Sequence, residues 1–165
     1  MKKTVLFLIA LALFLPLLSP LAGCGGGEKE GMEEEVVDYV IGNILIAEQR
    51  DSDLLIEWMR LSTGVSDVSP DELGLRFWKW QGGTLTEITL EEFKELAAQR
   101  INDDPRAWTY SQHSITVLEM DEETGEAVVE VGSLRGPLSG SGVRYLLHKE
   151  EGEWKKVSEA TVWGS

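Results

Sequence analysis

Few side chains in this sequence could do chemistry, and they lie far apart. Cys24 is the only cysteine of 165 residues. It therefore has no disulfide partner and cannot contribute to a thiolate metal cluster. The two histidines are His113 and His148. His113 falls in an alternating run, Ser111 to Met120, on the same side as Ile115 and Val117, which makes it the titratable group that faces inward. At a pocket rim, with a carboxylate such as Asp38 or Glu48 across from it, it could act as a general base. The competing reading is a strand-end histidine with a satisfied hydrogen bond. His148 shares the outward set with Arg144 and takes no role. Tyr39, Trp58, Trp78, Trp80 and Trp108 are the aromatic candidates. They would line a cavity for an apolar ligand, or serve as core and hairpin packing.

Several familiar motifs are missing. The acidic stretch 121–126 lacks the alternating ligands of a calcium loop. Gly136 to Gly142 lacks the Lys-Ser/Thr of a phosphate loop. There is no His-Glu-x-x-His and no Gly-x-Ser-x-Gly. No metal and no cofactor is expected. The net charge of −14, with no basic stripe, argues against nucleic acid as a partner.

The elements that would position these residues follow from spacing. Val36, Val37, Val40, Ile41, Ile44 and Leu45 form one face of a helix opened by Glu33-Glu34-Glu35. Leu54, Leu55, Trp58 and Met59 suggest a second, short helix after the capping residues Asp51-Ser52-Asp53. Ser69-Pro70-Asp71-Glu72 reads as a capping box for one further turn. Leu75 to Gln81 and Thr84 to Ile88 read as a hairpin about Gly82-Gly83. Thr89-Leu90-Glu91-Glu92 caps a helix carrying Leu90, Phe93, Leu96, Ala97 and Ile101, which Asn102-Asp103-Asp104-Pro105 stops. Ser111 to Met120 with Glu126 to Leu134, and Val143 to Lys149 with Glu153 to Trp163, are two strand pairs. Gly136 to Gly142 is expected to join them as a flexible segment.

The N-terminus has the parts of an export signal: Lys2 and Lys3, the apolar run Val5 to Leu15, then small residues. Leu21-Ala22-Gly23-Cys24 resembles the lipobox of bacterial lipoproteins. That resemblance implies cleavage before Cys24 and a diacylglyceryl thioether on its sulfur, with fatty acyl chains such as palmitate as the anchor. Residues 1–23 would be the signal peptide and 24–32 a flexible tether. Residues 33–165 would be one domain at the extracytoplasmic face of a cell membrane. Processing would leave 142 residues, and losing Lys2 and Lys3 would take the net charge to −16.

The order helix, helix, hairpin, helix, four strands, closing on Gly152-Glu153-Trp154-Lys155-Lys156-Val157, resembles the NTF2-like (cystatin-like) superfamily. The resemblance implies an α+β cone with helices packed on a curved antiparallel sheet. It implies a non-enzymatic module that binds a small apolar ligand or another envelope protein, or forms a homodimer. The alternatives are a hydratase- or isomerase-type pocket enzyme with His113 as base, and a purely structural dimerisation module.

Overall fold

A computed structural model describes residues 26–49, 51–59, 74–99, 108–136 and 139–164. Cys24, the leader, and the motifs at 69–72 and 102–105 lie outside the described residues. The first helix, α1, runs Gly26–Tyr39 and continues as a π-helical segment over Val40–Ile46. It begins well ahead of Glu33, inside the stretch expected as a tether. Its buried residues explain the wider turns. Val36, Val40 and Ile44, and likewise Val37, Ile41 and Leu45, recur every four positions and are all buried. On a helix of 3.6 residues per turn such a repeat drifts by about 40° at each step. Turns closed by i→i+5 bonds hold more residues, which keeps the stripe over one surface.

Leu54–Trp58 is strand β1 and not the expected second helix. Leu54, Leu55 and Ile56 are all fully buried. A central strand covered on both faces has a continuous apolar run, and such a run also fits helical spacing. β2 (Arg76–Gln81) and β3 (Thr84–Ile88) form the expected hairpin. Its turn needs left-handed backbone at Gly82 and Gly83, with φ of 57° and 84°. Helix α2 (Leu90–Ala97) follows, the Thr89 side chain accepting from the Glu92 N–H at 3.2 Å. β4 (Ser111–Asp121), β5 (Glu126–Gly136), β6 (Ser139–Glu150) and β7 (Glu153–Gly164) complete the chain as an antiparallel meander.

The sheet order is β3-β2-β1-β4-β5-β6-β7, with β1 parallel to β4 and every other neighbour antiparallel. This overturns the expected NTF2-like cone of helices on a curved antiparallel sheet. The molecule is dominated by one seven-stranded mixed sheet, and the segment that would have supplied the second helix is one of its interior strands. Only α1 with its π-helical extension and α2 are helical among the described residues.

Alternation along β1 divides the side chains between two layers. Leu54, Ile56 and Trp58 join the helical stripe of α1, with Trp78, Ile115, Val129, Leu147 and Trp154, in the larger core. Leu55 faces the other way and packs with Phe77, Phe93 of α2 and Tyr110. The Phe77 and Phe93 rings lie 4.9 Å apart. The segment expected as a flexible joint is also structured, since Ser139 to Gly142 are the first residues of β6 and pair with β5.

Candidate functional site

Strand register aligns one transverse row on the α2 face of the sheet. Phe77 of β2 is opposite Glu57 of β1, Glu57 is beside Ser114 of β4, and Ser114 is opposite Gly132 of β5. Gly132 is opposite Gly142 of β6, and Gly142 is opposite Trp163 of β7. Neighbouring strands are about 4.8 Å apart, so the backbones of Glu57 and Trp163 are roughly 19 Å apart. The Trp163 indole, however, reaches back over Gly142 until its Cζ2 would lie 3.7 Å from a Cβ on Gly132. The middle positions of the row carry only small side chains. The result is a trough between Phe93 of α2 on one side and Trp163 on the other, with Gln112 and Leu134 from the next row alongside. Its volume is about 160 Å³. A cavity of about 150 Å³ holds one benzene ring, so the trough suits a single-ring group.

The glycines are what open it. A Cβ on Gly132 would lie 2.6 Å from Ser114 Oγ, and one on Gly142 would collide with Trp163 Nε1. The Trp163 indole therefore lies against the β6 backbone. That contact seats a ring that is 42% exposed and close to the C-terminus. Glu57 is half-buried, and burial raises its carboxyl pKa. Its carboxylate makes no hydrogen bond or ion pair with another described residue.

His113 and Ser133 also border the trough, but by alternation their side chains meet on the opposite face. There His113 Nδ1 is 2.9 Å from Ser133 Oγ. The His113 ring is 1% exposed, and its Nε2 is sealed without a partner among the described residues. Burial, reinforced by the nearby Arg135 charge, lowers its pKa to about 4. The carboxylates expected across from it are elsewhere. Asp38 borders an outer depression with Tyr39 and Trp154, and Glu48 lies 3.8 Å from Lys156 Nζ. A sealed imidazole held neutral by its surroundings, with a hydroxyl as partner, lacks the access a general base requires.

The aromatic candidates do not converge on a cavity. Trp58 and Trp78 are core residues, and Trp80 packs against the same core from its edge. The Tyr39 hydroxyl accepts the Lys156 backbone N–H at 3.0 Å. Trp108 is half-buried just ahead of β4. His148, expected in solvent, is half-buried, with Nδ1 lacking a partner among the described residues.

Spacing alone missed both Glu57 and Trp163. Reading residues 51–59 as a helix gave Glu57 no place among the inward groups. Reading 136–142 as a joint hid the glycines under Trp163. A Gly-x-Gly within a strand is itself a sign of close approach, and Gly140 and Gly142 carry it.

Ser114 donates to no base among the described residues: the neighbouring imidazole projects to the other face, and no hydrogen bond joins Ser114 to the adjacent Glu57. Among the described residues no three His, Cys, Asp or Glu side chains come together as a metal would need. A larger depression of about 340 Å³ is lined by Arg76 and Glu87, but these already bond each other twice at 3.0 Å. That pair is satisfied within itself, whereas the Glu57 carboxyl has no partner among the described residues. No known family model, curated protein or solved structure matches this chain.

Proposed function

We propose that this chain is a lipoprotein anchored through Cys24 at the extracytoplasmic face of a membrane, and that its folded part is a non-enzymatic binding module. The trough between Glu57 and Trp163 would be its ligand site. The observation that carries the binding reading is the transverse row: small residues open a ring-sized trough, aromatic side chains wall it, and a half-buried carboxylate without a described partner borders it. Ligand sites are typically concave and apolar with a few placed polar groups. The anchoring reading rests on Leu21-Ala22-Gly23-Cys24 at the end of the uncharged stretch Thr4 to Gly23. Two or three buried acyl chains, at about 0.8 kcal/mol per CH2, hold such a protein firmly.

The anchor is tested by expressing the full chain in bacteria fed an alkyne analogue of palmitate. The wild-type chain should take up the label and pellet with membranes. Cys24→Ala should do neither. Label retained by Cys24→Ala would sink the assignment.

A further inference from the structure

Resting on the binding reading above, we infer that the trough selects a small organic cation: an ammonium group on a single-ring apolar body. Glu57 would supply the counter-charge, and Trp163 and Phe93 the walls. The first argument is the state of Glu57. A carboxylate moved out of water is costly unless something pairs with it. Three acids of the sheet have partners, Glu87 with Arg76, Glu130 with Arg144 and Glu150 with Lys155. Glu119, Glu126 and Glu153 are exposed to water, whereas Glu57 is half-buried. Its carboxyl has no partner among the described residues. Its raised pKa has burial as its only cause, with no compensating charge. A bound cation would complete the pair.

The walls point the same way. Aromatic faces are electron-rich and attract an ammonium within about 6 Å, most strongly for tryptophan. Trp163 is seated over Gly142 and Gly140, whose Cβ position would be 3.1 Å from Trp163 Cζ3. Little ordering is therefore left to be done when a ligand enters, which favours affinity. Among the described residues no lysine or arginine lines the trough, so an anion would meet the Glu57 charge with none of them to offset it. The chain's net charge of −14 adds a long-range attraction for cations.

The test uses the full chain in detergent micelles and calorimetric titration with three ligands of one shape: benzylammonium, benzyl alcohol and benzoate. Benzylammonium should bind at least about tenfold tighter than the alcohol, from the ion pair and cation–π contacts together, with benzoate weakest. Glu57→Gln should erase that order. Trp163→Leu, which keeps an apolar wall, should weaken the ammonium more than the alcohol. Equal binding of all three, or a preference that survives Glu57→Gln, would overturn the cation assignment and leave the trough as a binding site. No binding of any of the three to the wild-type chain would overturn both readings.

Discussion

The two faces of the sheet treat a buried titratable group in opposite ways. His113 lies beside Ile56, and Glu57 is the next residue along β1, so the two positions are neighbours. Burial pushes each toward its neutral form, His113 down to about 4 and Glu57 upward. On the α1 face the imidazole is buried with the Ser133 hydroxyl as partner. On the α2 face the carboxylate borders an open trough, because α2 is short and small residues follow it across the row. Perturbed titration marks candidate sites, yet here it marks both faces. Access and an unmet charge separate them.

Matched substitutions can break this contrast, and the largest effect is expected from the tryptophans. Trp58, 2% exposed in the closed core, should cost about 3–5 kcal/mol when changed to alanine. Trp163→Ala should cost about 1 kcal/mol, since its ring is only partly removed from water. Urea denaturation measures both, and equal costs would mean that the α2 face is as closed as the other.

The next effect is a pH dependence. The folded chain holds His113 below its ordinary value, so on acidification the unfolded chain takes up the proton first. The stability tied to a neutral His113 is complete above about pH 6.5. It is lost as pH falls from there toward about 4, a change of about 3 kcal/mol. His113→Gln should remove that component of the slope in denaturation midpoints measured from pH 7 to pH 4. A slope unchanged by the substitution would place the imidazole in contact with water.

The smallest effect concerns Glu57. A raised carboxyl pKa means that its ionised form opposes folding, so stability falls as pH rises through that folded value. Glu57→Gln should give a small gain at pH 7, because the carboxylate is still partly solvated and screened. The gain should shrink on acidification. A clear loss at pH 7 would reveal a native partner for the carboxylate and close the trough to a cation.

Much of the fold was legible in local pattern. Gly82-Gly83 specified a hairpin because left-handed backbone there costs glycine nothing. Thr89 announced the start of α2 through its cap, and alternation sorted Val129, Val131 and Ile115 onto the inner face. The failures share one cause. Leu54-Leu55-Ile56-Glu57-Trp58 has no period that separates a strand buried on both faces from a short helix, and its long-range partners β2 and β4 decide the matter. Without β1 the second helix looked real, and the cone followed from it. The trough was hidden for the same reason: Glu57, Ser114, Gly132, Gly142 and Trp163 become neighbours only through register across five strands.

By itself the sequence determined what local chemistry can encode: an apolar run placed ahead of a lone cysteine, an acidic chain, turns and caps at glycine and threonine, and an alternation that buried His113. Tertiary structure decided which strands lie side by side, and with them which face stays open. Those choices depend on pairing between residues tens of positions apart, where backbone hydrogen bonds carry no record of side-chain identity. Glu57 is an ordinary acid in the sequence, and it becomes a half-buried charge at the edge of a trough only when β1 is set between β2 and β4.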